Sequence, residues 1–419
     1  MGLERVKESL NRLGNPEKQI PPVIHVAGTN GKGSTIAFLR SIFLSAGYRV
    51  HQYTSPHLLE FNERIMINNQ KITDSQLHEM LEECRLKSRG IPLTFFEYTT
   101  VAAFLAFAKF SADVVLLETG LGGRYDATNV INNVLMSIIM PISLDHTEYL
   151  GSTTLKIAKE KSGIIKNNSI CIISLQEEQI MNYLIDECHK IGARSISCKK
   201  DWYFKKNNNK FEFINFLKSQ KTTFPMPKLL GIHQIINVTT SICAVKNLNS
   251  TFTINDKHIN KGITCVKWPG RMEKILDQTL LSLLPRNSEV WFDGAHNSAG
   301  AQMIATTFNM MSKMATLIIN ARSQGKEIKE FLLPFCNQVK LLIAIPLVNH
   351  ILSEDPNKIV VTGIKLGIKS IKCHSLAAAI TFCIKHSKNN PVRIIICGSL
   401  YLAHDLDNYL KKNINHYAK

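Results

Sequence analysis

The fold is decided by the stretch VIHVAGTNGKGST at residues 23–35. A run rich in valine and isoleucine comes first, three glycines surround Lys32, and a helical pattern follows. Glycines allow backbone N–H groups to turn toward phosphate oxygens, and a helix N-terminus adds partial positive charge. We therefore predict a strand, a phosphate-binding loop and a helix, with Lys32 on the β- and γ-phosphates and Ser34 facing Mg²⁺. The alternative is a glycine-rich turn that binds nothing.

This loop departs from the ordinary Walker pattern of phosphate-binding loops. Val26 stands where that pattern has a glycine, and Gly33 stands where it has Ser or Thr. The hydroxyl that would face a metal ion is therefore expected one residue later, at Ser34.

Strand-like and helix-like patterns alternate around this loop. Buried strands are predicted at residues 23–27, 114–117, 134–139 and 170–174, and helices at residues 35–46, 74–89, 98–110 and 232–248. This alternation is typical of a mostly parallel sheet that helices cover on both faces. Residues 195–225 alternate between polar and aromatic side chains, which predicts a small antiparallel insertion.

A second α/β pattern begins near Glu289 and predicts a Rossmann-like domain. Its strands are expected at residues 290–293, 316–320, 341–345, 359–361 and 393–397, and a helix at residues 400–411. The segment 274–288 separates the two patterns and contains a proline and an asparagine near its end. We therefore predict a phosphate-loop domain at residues 1–280 and a second α/β domain at residues 281–419.

Composition limits the class of protein. Hydrophobic residues make up 45% of the chain, but no apolar run is long enough to span a membrane, and the first 20 residues contain no apolar signal core. The ten cysteines include no Cys-x-x-Cys pair, which indicates reduced thiols rather than a disulfide framework or a zinc site. These features predict a cytoplasmic protein without a membrane partner.

The formal charge of +17 is compatible with nucleic acid, an anionic membrane surface or small anionic substrates as partners. A composition rich in lysine, isoleucine and asparagine explains much of this charge by itself. The lysines are spread along the chain, and no zinc-finger spacing or aromatic RNA-binding signature accompanies them. We predict small anionic substrates and no nucleic acid.

Two polar residues follow neighbouring buried strands. Glu118 ends the strand predicted at residues 114–117, and His146 follows the strand predicted at residues 134–139. Ligands of parallel α/β sheets bind beyond the carboxyl ends of the strands, so both side chains are expected near the phosphate loop. Glu118 is a suitable Mg²⁺ ligand, whereas histidine is a less usual one. The alternative for His146 is a hydrogen-bonded histidine at a strand end.

Lys159 and Lys161 lie in an apolar segment that contains Ile157, Ala158, Ile164 and Ile165. A lysine whose pKa is lowered by burial can react with CO₂ to form an anionic carbamate, which would suit a position near Mg²⁺. The alternative is an ordinary surface lysine, and the sequence leaves both possibilities open.

Short motifs along most of the chain can be compared together with known families. They occupy residues 25–35, 53–58, 63–65, 94–98, 118–129, 144–151, 160–165, 233–237, 268–271, 293–297 and 398–399. In these motifs and in their order, the chain resembles the bacterial folylpolyglutamate synthase/dihydrofolate synthase family of the Mur ligase superfamily. The resemblance implies a Mur ligase central domain followed by a C-terminal Rossmann-like domain.

The resemblance also implies a role for each matched position. The implied ATP contacts are Gly31, Lys32, Gly33, Ser34, Asn237, Arg271 and Asp293. The implied magnesium ligands are Ser55, Glu118 and His146, with a second Mg²⁺ expected beside the first. The positions implied near the pterin-bearing substrate are Thr94, Phe96, Glu97 and Asp126. The implied catalytic residues are Lys32, Lys161 and His296, and Lys161 is the position that is carbamylated in relatives.

The implied reaction is an ATP-dependent ligation that forms a C–N bond. The γ-phosphoryl group of ATP moves to a carboxylate, the amine of L-glutamate attacks the acyl phosphate, and phosphate leaves. Positioning and charge neutralisation are what phosphoryl transfer mainly requires. The resemblance implies addition of glutamate to dihydropteroate and to the tail of reduced folates, or to reduced folates alone, by a monomer.

The match departs from the family pattern in three places. Family members that use dihydropteroate usually carry a further helix and loop ahead of the stretch that matches residues 2–6. We expect either that the start has been trimmed or assigned late, or that the dihydrofolate synthase activity is weakened. Tyr125 stands where relatives often have leucine, and the stretch 321–327 fits the family's second-domain loop only loosely.

Three other classes of protein compete with this interpretation. A ligase of UDP-linked cell-wall precursors needs a nucleotide-sugar domain before the phosphate loop, and only 27 residues precede Gly28. A P-loop ATPase that binds nucleic acid would use the basic surface and would show salt-sensitive polynucleotide binding. A non-catalytic relative is disfavoured because the matched lysines and carboxylates are all present.

Overall fold

The computed structural model describes residues 2–248, 251–325, 327–348, 352–387 and 389–417. The chain forms two compact units. The first runs to Lys228 and resumes over His233–Lys267, and the second contains Leu229–Ile232 and the chain from Trp268 onward. The domain boundary predicted after residue 280 lies further along the chain than this division and stays a prediction.

The first unit is built on a large sheet. Its strands are β1 (Val23–Ala27), β2 (Val50–Tyr53), β3 (Ile65–Ile67), β4 (Gln70–Lys71), β5 (Val114–Glu118), β6 (Val134–Ile139), β7 (Ile170–Ile173) and β8 (Arg194–Ser197). They lie in the order β4-β3-β2-β5-β1-β6-β7-β8, and β1 pairs in parallel with both β5 and β6. Every residue of β1 and β5 is buried, as expected for a parallel sheet covered on both faces. The four strands predicted in this region are confirmed.

Among the described residues, nine α-helices belong mainly to this unit. They are α1 (Glu4–Arg12), α2 (Lys32–Ser45), α3 (Asp74–Lys87), α4 (Phe95–Lys109), α5 (Thr147–Leu150), α6 (Thr154–Lys161), α7 (Glu178–Ile191), α8 (Ile232–Lys246) and α9 (Asp256–Cys265). The four helices predicted in this region are confirmed to within a few residues at their ends. Over the described ranges, no helix combines the length and the apolarity needed to cross a membrane.

The predicted antiparallel insertion is confirmed. It consists of β9 (Trp202–Asn207), β10 (Lys210–Asn215) and β11 (Gln220–Pro225), with β10 in the centre. Its aromatic side chains stack in pairs: the ring centroids of Trp202 and Phe213 lie 5.9 Å apart. These rings form one buried face of the insertion, which explains the alternation of aromatic and polar residues.

The second unit contains a six-stranded sheet. Its strands are β12 (Glu273–Lys274), β13 (Glu289–Asp293), β14 (Ala315–Asn320), β15 (Leu341–Ala344), β16 (Ser370–Lys372) and β17 (Val392–Cys397). Their order is β12-β13-β17-β14-β15-β16, and only the short edge strand β12 is antiparallel to its neighbour. The helices are α10 (Gln278–Ser282), α11 (Ser298–Asn309), α12 (Ile328–Leu332), α13 (Pro356–Lys365), α14 (Leu376–Ser387) and α15 (Leu402–Tyr417). This sheet confirms the second α/β domain.

The strand predicted at residues 359–361 was wrong, because these residues lie inside α13. Asp355 caps this helix by accepting a hydrogen bond from Asn357 N at 2.9 Å, and Pro356 occupies the first helical turn. An N-cap aspartate followed by proline is a strong helix start. That signal outweighs the β-branched run Ile-Val-Val, and the strand of this region is β16 instead.

Candidate active site

The phosphate-loop turn, residues 28–31, joins β1 to α2. Gly28 has φ +150° and Gly31 has φ +88°. A Cβ atom at Gly28 would lie 2.5 Å from Cβ of Met140, and one at Gly31 would lie 2.3 Å from Oδ1 of Asn237. The backbone at both positions is therefore too close to its neighbours for a side chain.

The segment that follows β6 braces this turn. Thr29 N donates to Pro141 O at 3.0 Å. The Thr29 hydroxyl donates to Ser143 O at 3.0 Å and accepts from Ser143 N at 3.1 Å. Thr29 and Ser143 were not among the predicted site residues, although both are polar and follow buried strands within a few residues.

Two lysine side chains donate to the carbonyl oxygen of Gly28, and a carboxylate lies beside one of them. Lys161 Nζ donates to it at 2.9 Å and Lys32 Nζ at 3.2 Å. Lys32 Nζ also lies 3.9 Å from Oε1 of Glu118. Lys161 and Glu118 are each only 5% exposed. The structure therefore brings together three of the predicted site residues from β1–α2, β5 and α6.

Lys161 is not the surface lysine that the sequence left as an alternative. Burial, and secondarily the positive charge of Lys32, lower its pKa from 10.5 to about 7, against the opposing effect of Asp145 and Asp126. A substantial fraction of the Lys161 amine is therefore neutral and nucleophilic near pH 7.

The three residues predicted to bind magnesium, Ser55, Glu118 and His146, have different local contacts. Ser55 N donates to Oε2 of Glu118 at 3.2 Å. His146 begins α5 with φ +50°, and its Nε2 lies 3.9 Å from Oδ1 of Asp145. In the part of the chain that the structure describes, no group of three His, Cys, Asp or Glu side chains is arranged to hold a metal ion.

Helix α8 supplies polar side chains to the start of α2. Gln234 Nε2 donates to the buried hydroxyl of Ser34 at 3.4 Å, and its Oε1 accepts from Asn237 Nδ2 at 2.9 Å. All three residues are buried. Asn237 was among the predicted ATP contacts, whereas Gln234, which belongs to the same motif, was not among the predicted site residues.

The start of α4 carries three of the residues predicted near the substrate. Thr94 and Glu97 form a capping box, in which each side chain accepts from the backbone N–H of the other. Arg5 Nη2 donates to Glu97 Oε1 at 2.8 Å. Burial alone would raise the pKa of Glu97, but the hydrogen bonds from Thr94 and Arg5 lower it overall. The ring of Phe96 lies against the glycine-rich loop, where a Cβ at Gly120 would come 2.3 Å from Phe96 Cζ.

Asp126 lies inside the glycine-rich loop, residues 120–129, and is 4% exposed. Its Oδ2 accepts from Leu121 N at 2.7 Å, and its Oδ1 accepts from Thr128 N at 3.1 Å. Burial raises the pKa of Asp126, while these N–H groups oppose the rise. The loop backbone also packs closely on α6, because Arg124 N donates to Glu160 O at 2.7 Å.

In the second unit, Asp293 ends β13 and organises the backbone around it. Its two oxygens accept from Met272 N and from Ala295 N, each at 2.7 Å. Burial raises the pKa of Asp293, and the charge of Arg271 and these two N–H groups oppose the rise.

Arg322 was missed by the sequence analysis. Its guanidinium is 1% exposed, its carbon Cζ lies 4.2 Å from the centroid of the Phe331 ring, and its Nη2 donates to His296 O at 3.1 Å. Burial lowers the pKa of Arg322 to about 10. An arginine directly after the buried β14 was the available signal.

Comparison with known proteins identifies the family. A family model of the Mur ligase middle domain matches residues 26–245, and one of the dihydrofolate synthetase C-terminal domain matches residues 277–411. The dihydrofolate synthase/folylpolyglutamate synthase of Bacillus subtilis is 33% identical to the chain, over 98% of this chain and 95% of the relative. The chain belongs to the dihydrofolate synthase/folylpolyglutamate synthase family.

Other members of this ligase family are similarly related. The probable dihydrofolate synthetase of Schizosaccharomyces pombe is 32% identical over 99% of both chains. The structure of Escherichia coli FolC with ADP has a TM-score of 0.87 and 27% identity, covering 99% of this chain and 95% of that one. FolC has also been solved with DHPP and ADP, with a TM-score of 0.86 and 27% identity over 98% and 94% of the two chains.

A third family structure contains a metal ion. The bifunctional folylpolyglutamate synthase/dihydrofolate synthase of Yersinia pestis, complexed with AMPPNP and a Mn ion, has a TM-score of 0.86 and 25% identity, over 98% and 94% of the two chains. The predicted family, fold and enzyme class are therefore confirmed: the chain is a ligase. Its membership decides against the cell-wall ligase and the nucleic-acid-binding ATPase.

Proposed function

We propose that this ligase uses ATP to join L-glutamate to dihydropteroate and to the glutamate tail of reduced folates. Of the relatives that match nearly the whole chain, the Bacillus subtilis protein is named dihydrofolate synthase/folylpolyglutamate synthase and the Schizosaccharomyces pombe protein probable dihydrofolate synthetase. The convergence of Lys32, Glu118 and Lys161 on the phosphate-loop turn is the observation that carries the proposal, because it provides the charges that phosphoryl transfer needs.

ATP would bind with its phosphates on the phosphate-loop turn. No side chain caps α2, and its first turn contains no acidic residue. The N–H groups at the start of this helix therefore suit phosphate oxygens. Gly31, Lys32, Gly33 and Ser34 are the proposed phosphate contacts. Asn237, Arg271 and Asp293 are proposed as further ATP contacts on the family resemblance.

Ser55, Glu118 and His146 would hold a Mg²⁺ ion, and a second Mg²⁺ is proposed beside it. The buried carboxylate of Glu118 is the hard oxygen ligand that Mg²⁺ prefers, and Mg²⁺ normally keeps several waters and phosphate oxygens rather than a full protein cage. When bound, Mg²⁺ would neutralise charge on the phosphates. The Mn ion in the Yersinia pestis enzyme supports the use of a divalent cation.

We propose that Lys161 is carbamylated, because its amine is buried and has a lowered pKa. The neutral amine would attack CO₂, a C–N bond would form, and one proton would leave, so that a neutral buried amine becomes an anionic carbamate. The lowered pKa, about 7, supports this step. The resulting carbamate would lie beside Lys32 and would no longer repel it.

The protein's own groups then have defined tasks. Lys32 would neutralise charge on the γ-phosphoryl group as it moves to the substrate carboxylate, and Arg271 would assist. The amine of glutamate would attack the acyl phosphate, and phosphate would leave. Each electrostatic contact of this kind contributes about 10²–10³ in rate. His296 is proposed as a further catalytic group on the family resemblance.

The acceptor site is proposed at the start of α4 and in the glycine-rich loop. Thr94, Phe96, Glu97 and Asp126 would surround the pterin-bearing end of the acceptor. The partly buried ring of Phe96 beside Gly120 suits an aromatic heterocycle, and Glu97 is a charged acceptor for ring N–H groups. Small molecules are the proposed partners, and a cytoplasmic location and a monomeric state stay predictions.

The decisive experiment measures phosphate release from ATP with Mg²⁺ and L-glutamate, using dihydropteroate or tetrahydrofolate as acceptor. Glutamate-dependent release with both acceptors, and products heavier by one glutamyl residue, would support the bifunctional enzyme. Release with tetrahydrofolate alone would restrict the activity to tail extension. Release with neither acceptor, in a folded protein that binds ATP, would overturn the proposal.

A further inference from the structure

A buried chain of hydrogen bonds connects the central strand to the glycine-rich loop. His25, in the middle of β1, is fully buried, and its Nε2 lies 2.9 Å from Oγ1 of Thr128. The Thr128 hydroxyl, also fully buried, donates to Oδ1 of Asp126. His25 and Asp126 are thus joined through one hydroxyl.

The direction of this chain follows from the number of protons. A threonine hydroxyl carries one proton, and Thr128 gives it to Asp126, so Thr128 must accept from His25. Burial, and secondarily the charge of Lys166, lower the pKa of His25 to about 3, so its ring is neutral. The single ring proton is therefore on Nε2. Nδ1 is buried and has no hydrogen-bond partner in the described ranges, as an unprotonated ring nitrogen permits.

The carboxylate at the end of the chain ties the glycine-rich loop together. One oxygen of Asp126 holds Leu121 N near the start of the loop, and the other holds Thr128 near its end. A carboxylate has about four acceptor positions, and the donors of the loop occupy most of them. The position of this carboxylate therefore determines the path of the whole loop.

We propose that His25 is a positioning residue for the acceptor: through Thr128, it holds Asp126 and the glycine-rich loop in the conformation that receives the pterin-bearing substrate. This inference rests on the proposed function, since it assigns the acceptor to this loop. His25 touches neither substrate nor ATP in this role, and it acts on acceptor binding rather than on the phosphates.

Two pairs of variants test this role. Thr128→Val keeps the shape of the side chain and removes the hydroxyl, whereas Thr128→Ser keeps the hydroxyl. His25→Leu removes the ring donor, whereas His25→Gln places an amide N–H close to the position of Nε2. For each variant, KM for tetrahydrofolate and for ATP, kcat, and the midpoint of urea unfolding are measured.

We expect Thr128→Val and His25→Leu to raise KM for the acceptor about tenfold or more, since a hydrogen bond to a charged group is lost. KM for ATP should stay within about twofold of wild type, and Thr128→Ser and His25→Gln should recover most of the acceptor affinity. Thr307→Val is the matched control, because it removes a buried hydroxyl whose hydrogen bond, among the described residues, stays within α11, to Met303 O at 2.7 Å. It should leave KM for the acceptor unchanged.

An acceptor KM that stays at the wild-type value in Thr128→Val would overturn the positioning role. So would an equal rise in both KM values, which indicates general destabilisation. If Thr128→Val does not fold, the two His25 variants decide by the same criteria. Absence of turnover in the wild-type protein would instead overturn the proposed function, so the two failures are distinguishable.

Discussion

Two turns of this protein have the same local architecture and opposite chemistry. The phosphate-loop turn, residues 28–31, and the acidic turn, residues 293–297, each join a buried parallel strand to a helix, and the acidic turn begins with Asp293, the last residue of β13. No side chain caps the helix after the first turn, whereas Asn297 caps the helix after the second by accepting from Gly300 N at 2.9 Å. The first helix start is suited to an external anion, and the second is already satisfied by the protein.

The charged residues of the two turns also differ, in a way that agrees with the difference in helix capping. Two lysines donate to Gly28 O in the first turn, while Asp293, at the start of the second, accepts from two backbone N–H groups. Burial shifts the pKa of Lys161 downward and that of Asp293 upward. Each turn thus moves a buried ionisable group toward its neutral form. The first turn thus combines glycines with two lysines, as the proposed phosphate site requires, whereas a carboxylate holds the backbone of the second turn.

The largest expected effect is the loss of activity in Lys32→Ala. Removing this charge from the phosphate-loop turn should lower turnover about 10²–10³-fold, and Glu118→Ala should have a comparable effect. The measurement is phosphate release under saturating substrates, with circular dichroism to establish folding. Asp293→Asn is the matched change in the acidic turn and should cost less. Wild-type turnover in Lys32→Ala would show that the two turns do not differ as described.

The second prediction concerns pH and bicarbonate. Because the folded-state pKa of Lys161 is lowered to about 7, the amine is protonated and unreactive toward CO₂ below that pH. Turnover should fall by up to about tenfold per pH unit below 7 and should rise with added bicarbonate. Rate–pH profiles with and without bicarbonate, together with a carbamate signal from ¹³C-labelled bicarbonate, check this. In Lys161→Met, we expect a rate–pH profile that does not change with bicarbonate. A wild-type profile that does not change with bicarbonate would contradict carbamylation.

The third prediction separates backbone strain from a clash in the phosphate-loop turn. Gly31 and Gly47 have nearly the same φ, +88° and +87°, but only Gly31 has a close neighbour for an added Cβ. Alanine at either position should lower the free energy of unfolding by about 1–2 kcal/mol. Only Gly31→Ala should also weaken ATP binding, by about tenfold or more, as measured by calorimetric titration. Equal ATP affinities in the two variants would remove the special role of Gly31.

The smallest expected effect belongs to the acidic turn. Asn297→Ala removes the side-chain cap of α11 and should lower the free energy of unfolding by about 1 kcal/mol. Urea unfolding measures this change, and Asn297→Asp, which keeps an accepting oxygen, is the control. An unchanged unfolding curve for Asn297→Ala would mean that this helix start does not depend on its cap.

Much of the fold was predictable because its signals are local. The glycines around Lys32, the β-branched runs and the helix caps act over a few residues, so the strands, most helices and the antiparallel insertion were predicted close to where they lie. The failure at residues 359–361 was local too, since an N-cap and a proline outweighed three β-branched residues. Family resemblance extended the prediction to site residues whose roles stay proposals.

The sequence by itself predicted the phosphate loop and the two α/β patterns, because motif spacing and periodicity indicate them directly. It also pointed to Lys32, Glu118 and Lys161, through their motifs and the family resemblance. Only the tertiary structure decided which of these residues meet. Lys161 reaches Gly28 O across 133 residues of chain, His25 reaches Thr128 across 103, and Gln234 reaches Ser34 across 200. Burial at those meeting points sets the pKa of Lys161 and of His25, and burial arises only when the strands and helices pack together.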